Sequence, residues 1–236
     1  MSSWILLAGC PNSGGSGVPA ESAQEAPDAP PAATRSAGPS GQMSSAVPTV
    51  VFLGDSLTAG YGLDEDLAFP NLLDRMLRER GWSLRVVNAG ASGDTTAGGE
   101  RRLDWLLRQE PAVLVLALGA NDGLRGLPLE ESEQSLRRII ERSQAAGAQV
   151  ILAGMKIPPN YGPDYARSFE AMYPALADEF KVPLIDFLLA GVAGDPELNQ
   201  ADGIHPNAEG QRRVAENVLP SVLEALEQLG LEPGAR

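Results

Sequence analysis

Short apolar runs alternate with longer amphipathic segments along most of this chain, and the two patterns predict different secondary structures. Runs without polar alternation, such as Val50–Leu53 and Ala112–Gly119, are typical of strands that helices cover on both faces. Segments with apolar residues three and four positions apart are typical of helices with one buried face. The last such segment has this spacing at Val214, Val218, Val222 and Leu226.

Continued along the chain, this alternation predicts five strands with helices between them. The strands are predicted in VVFL, SLRVVNAG, AVLVLALG, QVILAG and VPLIDFL. The helices are predicted in FPNLLDRMLRERG, GGERRLDWLLRQE, LEESEQSLRRIIERSQAAG, DYARSFEAMYPALADEF and NAEGQRRVAENVLPSVLEALEQLG. We expect the fourth helix to continue through Pro174, and Trp105 and Leu106 in the second to lie in the core. The pattern predicts an α/β fold, a three-layer α/β/α sandwich with a five-stranded parallel sheet of the flavodoxin-like type.

The loops that follow the first three strands are predicted to lie together. Right-handed crossovers place every strand-to-helix loop at one edge of a parallel sheet, which is where such sheets bind ligands. These loops are GDSLTAGYG, NAGASGDTT and GANDG, all rich in glycine and in short polar side chains. A polar site at this edge is therefore expected.

The beginning of the chain differs in composition from the rest. Residues 1–10, MSSWILLAGC, resemble the end of a bacterial lipoprotein signal in which Cys10 would carry the lipid, although a chance cysteine is the alternative. Residues 11–48 are dominated by Gly, Pro, Ser and Ala and are predicted to be a disordered tether. Residues 49–230 are expected to fold as one domain, followed by a flexible tail at 231–236. We therefore expect an exported protein, either periplasmic or held at a membrane by this lipid anchor.

Charge and residue counts exclude several classes of function. The formal net charge of −13 argues against nucleic acid or an anionic membrane surface as the main partner. Cys10 is the only cysteine and His205 the only histidine, so disulfide frameworks and zinc sites built on cysteine or on histidine pairs are excluded. We expect no metal and no cofactor. A single domain with a tether makes a monomer the default.

His205 is the only candidate base for a nucleophilic serine. It lies in ADGIHPNAEG, between the last strand and the last helix, so the topology brings it toward the edge that holds Ser56. Asp202, three residues earlier in a predicted tight turn, can orient the imidazole. The alternative is that Ser56 and the Asp-His pair merely cap helices.

Four motifs resemble those of the SGNH (GDSL) hydrolase family and occur in the same order. They are GDSL with Ser56, SGDT with Gly93, GAND with Asn121 and DGIHP with His205. The resemblance covers Val50–Leu229 and extends to the bacterial subgroup of thioesterase I, lysophospholipase and arylesterase.

This resemblance implies a role for each matching residue. Ser56 would be the nucleophile, His205 the base and Asp202 the residue that orients it. The N–H groups of Ser56 and Gly93 and the side-chain amide of Asn121 would form the oxyanion hole. The implied function is cofactor-free hydrolysis of carboxylic esters, or of acyl thioesters, through an acyl-enzyme.

Other loop residues have simpler interpretations. Ser92 is a rival nucleophile. Asp55 could serve as a second base beside His205, but its side chain is better explained by a backbone hydrogen bond in its turn. Asp94 and Asp122 are expected to bind loop N–H groups. An acyl pocket is expected from Tyr61, Leu63 and Tyr161.

Two other functions compete with hydrolysis. One is a flavodoxin-like binding module for a phosphate-bearing ligand, but GDSLTAGYG contains neither Lys nor Arg and does not match the phosphate-binding loop pattern. The other is a tethered surface protein that has kept the scaffold without the chemistry.

Overall fold

The computed structural model describes residues 47–234, and within them a single sheet of five parallel strands. Cys10 and the predicted tether as far as residue 46 lie outside the described residues. The strands are β1 (Thr49–Gly54), β2 (Arg85–Gly90), β3 (Val113–Ala117), β4 (Gln149–Ala153) and β5 (Leu184–Ile185). Their order in the sheet is β2-β1-β3-β4-β5.

Helices cover both faces of this sheet. Those of the described part are α1 (Ser56–Ala59), α2 (Phe69–Glu79), α3 (Thr96–Leu107), α4 (Ala120–Leu124), α5 (Leu129–Ala145), α6 (Pro163–Phe180) and α7 (Ala208–Gln228). Helices α3, α5 and α6 pack in one layer, and α2 packs against α7 in the other. The predicted three-layer sandwich is thus confirmed. None of the described helices is long and apolar enough to cross a membrane.

The core lies on both faces of the two central strands. Every residue of β1 and of β3 is buried, which is why these segments show no polar alternation in the sequence. On α7, the apolar residues spaced four apart are also almost fully buried against the sheet. Burial of these apolar surfaces is the main stabilising contribution to the fold.

Two proline-containing helices run without interruption. Helix α6 continues through Pro174, as predicted, and α7 continues through Pro220. Both prolines are exposed, so the backbone carbonyls that lose their helical partner can bind water.

Three local predictions differ from the structure. Leu106 is fully buried, but Trp105 is 57% exposed and does not belong to the core, because it lies on the outer face of α3. The last strand is only two residues long, since the chain turns away from β4 after Ile185. Part of the predicted tail is docked, because Leu231 packs against the core and the Gly234 N–H donates to the Gly81 carbonyl at 3.0 Å.

Glycine allows α1 to approach the sheet closely. A Cβ at Gly90, in β2, would lie 2.2 Å from the backbone nitrogen of Ala59, the last residue of α1. Such a contact is sterically impossible, so this position requires glycine. The close approach holds α1 and its first residue, Ser56, against the carboxyl ends of β1 and β2.

Candidate active site

Ser56 is the first residue of α1, directly past the carboxyl end of β1. Asp55 is the N-cap of that helix, and its Oδ1 accepts a hydrogen bond of 3.0 Å from the Leu57 N–H. This is the backbone bond predicted for Asp55. Ser56 is partly exposed, so its hydroxyl is accessible from the edge of the sheet.

His205 links Ser56 and Asp202 in a chain of hydrogen bonds, although 149 residues separate it from Ser56. Its Nε2 lies 3.0 Å from the Ser56 Oγ, and its Nδ1 lies 2.7 Å from Oδ2 of Asp202. With its proton on Nδ1, the ring donates to Asp202 and accepts from the serine hydroxyl. Both ring nitrogens are thereby engaged, and neither of these hydrogen bonds goes to the rival nucleophile Ser92.

Asp202 is held by the loop that contains His205. Its Oδ1 accepts from the backbone N–H groups of Ile204, at 2.9 Å, and of His205, at 3.0 Å. These backbone bonds, with the additional bond to the imidazole, lower the pKa of Asp202 from 3.8 to about 2. The carboxylate therefore stays charged beside the imidazole over the whole physiological pH range.

The loop between β5 and α7 is tied to the loop that follows Ser56. Within it, the Gln200 N–H donates to the His205 carbonyl at 2.8 Å. The Gln200 side-chain amide donates to the Tyr61 carbonyl at 2.6 Å. The Tyr61 ring packs on the imidazole with 4.7 Å between centroids. These contacts fix the position of His205 relative to Ser56.

The family resemblance assigns the backbone N–H groups of Ser56 and Gly93 to the oxyanion hole. Within the described part of the chain, the N–H groups of Ser56 and Gly93 donate to no other group. Ser56 has a free N–H because the first residues of a helix lack an intrahelical acceptor. Gly93 adopts a φ of 82°, which favours glycine.

Asn121, on α4, faces the same region. Its Nδ2 donates to the Asp94 carbonyl at 2.9 Å, and Oδ2 of Asp55 lies 3.4 Å from the same nitrogen. The second contact is long for a hydrogen bond and therefore weak. The Asn121 amide hydrogen bonded to the Asp94 carbonyl is firmly held, whereas the one near Asp55 can instead be donated to a bound substrate.

Asp55 is a buried carboxyl group beside the nucleophile, only 1% exposed. Burial raises its pKa from 3.8 to about 6, although the Leu57 N–H bond and the positive charge that His205 can carry partly lower it. At neutral pH the Asp55 carboxyl group is therefore ionised, and the burial of this charge lowers the free energy of unfolding of the protein.

Arg102, on α3, binds the ends of two strands. Its guanidinium donates to the Ala89 carbonyl at 2.6 Å and to the Gly54 carbonyl at 2.7 Å. Its Nε also pairs with Oδ2 of Asp94 at 2.7 Å. The expectation that the Asp94 side chain binds loop N–H groups is therefore replaced by an ion pair, which fixes the loop of Gly93 to the sheet.

Sequence reasoning missed the role of Gln211, a residue of α7 that is 1% exposed. Its Oε1 accepts from the Phe69 N–H at 2.8 Å, and its Nε2 donates to the Leu57 carbonyl at 3.1 Å. It therefore joins the helix after His205 to the helix that begins at Ser56. The sequence does indicate that Gln211 is buried, because it lies three residues before Val214 and thus on the same apolar face of α7.

A cavity of about 470 Å³ opens beside Ser56 and His205. Most of its lining is apolar, which suits a hydrocarbon chain. The apolar side chains are Leu57, Ala120, Leu124, Met155, Ile157, Pro158, Leu189, Ala193 and Ile204. The three side chains expected to form an acyl pocket, Tyr61, Leu63 and Tyr161, are not part of this lining.

Within residues 47–234 no cluster of three or more His, Cys, Asp or Glu side chains could hold a metal ion.

Residues 52–213, which contain all four motifs, match the GDSL-like lipase/acylhydrolase family. The chain belongs to this family. The match confirms the resemblance inferred from the motifs, and the observed three-layer fold agrees with it.

Characterised relatives of this GDSL-like hydrolase share most of its folded domain. Esterase TesA of Pseudomonas aeruginosa is 45% identical over 178 residues, which cover 75% of this chain and 89% of that protein. Thioesterase 1/protease 1/lysophospholipase L1 of Escherichia coli is 43% identical over 172 residues, which cover 72% of this chain and 81% of that protein.

Solved structures agree with these sequence comparisons. The psychrotrophic esterase EstA from Pseudoalteromonas, inhibited by monoethylphosphonate, superposes with a TM-score of 0.73 at 36% identity. That superposition covers 76% of this chain and 98% of EstA. This GDSL-like hydrolase is therefore an enzyme that hydrolyses ester bonds, which argues against a phosphate-binding module without hydrolase activity.

Proposed function

We propose that this protein is a serine esterase that forms an acyl-enzyme on Ser56, with His205 as the base and Asp202 as the residue that orients it. The hydrogen-bonded chain of these three side chains is the observation that carries the proposal. The oxyanion donors would be the N–H groups of Ser56 and Gly93 and the amide of Asn121.

In the acylation step, the Ser56 Oγ attacks the carbonyl carbon of the ester while Nε2 of His205 takes the hydroxyl proton. The ring then carries a positive charge, which the ionised Asp202 stabilises at 2.7 Å. Negative charge develops on the carbonyl oxygen and is stabilised by the three donors. Asn121 can contribute by exchanging its weak contact with Asp55 for a bond to this oxygen.

Collapse of the tetrahedral intermediate breaks the bond to the leaving alcohol or thiol, and His205 donates its proton to that group. Water then enters, loses a proton to the same Nε2 and attacks the acyl-enzyme through a second tetrahedral intermediate. The acid is released and Ser56 recovers its proton. A single imidazole therefore serves as base and acid in both halves of the reaction.

We propose that the cavity beside Ser56 binds the acyl part of the substrate. Its lining offers apolar contact surface and few polar groups, so a linear hydrocarbon chain is the ligand it fits. Lysophospholipid-like esters and acyl thioesters present such a chain, and so do those aryl esters whose acyl group is long. The leaving group would then lie outside the cavity, where solvent accepts different alcohols and thiols.

Active-site labelling tests the nucleophile and the base. We expect a fluorophosphonate probe to modify Ser56 alone, as read by peptide mass spectrometry. Ser56→Ala and His205→Ala should each lower kcat for p-nitrophenyl butyrate by at least ~1,000-fold. Ser92→Ala, in a neighbouring loop of the same edge, is the matched control and should keep both labelling and activity. Wild-type turnover by Ser56→Ala, or label found on another residue, contradicts the mechanism.

We also propose that the protein is exported and lipidated at Cys10, on the lipoprotein-like sequence LAGC. This cysteine lies outside the described residues, so the proposal rests on the sequence. Intact mass of the mature amino terminus tests it. Diacylglyceryl modification of Cys10, lost in Cys10→Ala, is the expected result, and an unmodified cysteine in the cell-derived protein would overturn it.

A further inference from the structure

A second buried carboxylate, Asp122, lies next to Asn121 in α4 and has no part in the steps above. It is 2% exposed. Its Oδ2 accepts from the Thr96 N–H at 2.9 Å, and its Oδ1 accepts from the Thr96 hydroxyl at 2.7 Å and the Ser132 hydroxyl at 3.0 Å. Three hydrogen bonds thus satisfy this group.

These bonds join the consecutive helices α4 and α5 to the start of α3, which lies 26 residues before Asp122 in the sequence. Thr96 is the first residue of α3 and directly follows the loop that contains Gly93, while Ser132 belongs to α5. Asp122 therefore fixes α4 to the end of the Gly93 loop. A buried carboxylate is expensive to desolvate, so stability alone gives little reason for one here.

The neighbouring residue makes a second connection between the same two segments. Asn121 Nδ2 donates to the Asp94 carbonyl at 2.9 Å, one residue after Gly93. Consecutive residues of α4 are therefore both bonded to this loop, Asn121 on the side of the active site and Asp122 in the interior. Together they set the distance between the Asn121 amide and the Gly93 N–H.

We propose that Asp122 is a positioning residue. It holds the Asn121 side-chain amide and the Gly93 N–H where both can donate to the same oxyanion, and this inference rests on the oxyanion hole in the proposed function. Donors to an oxyanion work only when they are placed within a fraction of an ångström. Without the carboxylate, α4 loses its interior bonds to this segment. It keeps the bond from Asn121 to the Asp94 carbonyl and an exposed bond from the Arg125 guanidinium, at the end of α4, to the Gly93 carbonyl at 3.0 Å, so the buried sides of the two segments can shift apart. The substrate would still bind, but the transition state would be less well stabilised.

Substitution of Asp122 tests this role through kinetics. Asp122→Ala should lower kcat for p-nitrophenyl butyrate by ~10–100-fold and leave KM within about two-fold, because a misplaced donor acts on the transition state. Asp122→Asn keeps an oxygen acceptor for the Thr96 N–H and should retain more of kcat than Asp122→Ala. The Asn variant also provides the test if the Ala variant does not fold.

A double-mutant cycle separates positioning from general destabilisation. If Asp122 acts through the oxyanion hole, its loss should matter less once the Asn121 amide is gone. In an Asn121→Ala background, the addition of Asp122→Ala should lower kcat by less than about three-fold. Leu226→Ala, a fully buried residue near the far end of α7, is the destabilising control. It should lower the melting temperature but leave kcat unchanged in both backgrounds.

Two results would overturn the proposal. One is a kcat of Asp122→Ala within about two-fold of wild type, and the other is an equal fold-loss with and without Asn121. Failure of the proposed function has a different signature, because Asn121→Ala or Ser56→Ala would then keep full activity and the fluorophosphonate would not label Ser56.

Discussion

The free energy of unfolding of Asp55→Asn, minus that of wild type, should be larger at neutral pH than at acidic pH. Asp55 is buried beside Ser56, and its pKa in the folded protein is raised to about 6 by the loss of solvation. Asparagine has nearly the same shape, carries no charge, and its Oδ1 can still accept the bond from the Leu57 N–H at the start of α1. The substitution therefore removes the titration and keeps the helix cap.

The magnitude follows from the two pKa values. A group whose pKa is higher in the folded than in the unfolded state binds its proton more tightly when folded, so it stabilises the fold at low pH. That contribution is lost as the pH rises through the folded pKa. The interval from 3.8 to about 6 corresponds to about 3 kcal/mol at ~1.36 kcal/mol for each pH unit.

Urea unfolding of both proteins across the range from about pH 4 to about pH 8 measures this effect. The unfolding free energy of Asp55→Asn minus that of wild type should rise by about 2–3 kcal/mol over the range. Asp202 does not titrate there, because its pKa is about 2. Asp164→Asn, at a side chain 92% exposed, is the control, and its difference from wild type should change far less over this range than that of Asp55→Asn. A difference for Asp55→Asn that stays constant, or that falls with pH, would refute the reasoning.

Three further outcomes follow from the site and its supports. Asp202→Asn should lower kcat for p-nitrophenyl butyrate by ~10,000-fold, because the His205 imidazole would lose the carboxylate that orients it and stabilises its positive charge. Gly90→Ala should fail to fold or lose its cooperative thermal transition, because the new Cβ would lie 2.2 Å from a backbone nitrogen of α1; a melting temperature equal to wild type would exclude this clash. Ile204→Ser should raise KM about five-fold for p-nitrophenyl decanoate but not for the acetate, since about 1 kcal/mol of apolar contact is lost at the cavity mouth. Trp105→Ser, at a similarly exposed residue outside the cavity lining, should change neither KM.

Much of the site could be located from the sequence because its position follows from local rules. The carboxyl ends of parallel strands share one edge of the sheet, so the loops with Ser56, Gly93 and Asn121 had to lie near one another. His205 follows the last strand and therefore reaches the same edge. The order of strands and helices was equally accessible, since apolar spacing alone distinguishes a buried strand from an amphipathic helix.

Other features depended on contacts that no local pattern encodes. Asp94 and Asp122 looked alike in the sequence, yet Asp94 pairs with Arg102 while Asp122 binds Thr96 in the interior. Gln211 binds two backbone groups that lie 142 and 154 residues away along the chain. The tyrosines expected to form the acyl pocket lie outside the cavity lining.

The sequence by itself determined the architecture of this protein and the edge of the sheet at which its polar loops meet. Only the tertiary structure decided which polar side chains are buried, which of them pair, and which apolar side chains surround the cavity. The physical reason is how far apart in the chain the interacting residues lie. Apolar periodicity and strand-helix connections can be recognised within one segment or between neighbouring segments. A buried hydrogen bond or a cavity wall, by contrast, depends on atoms brought together from segments far apart in the chain.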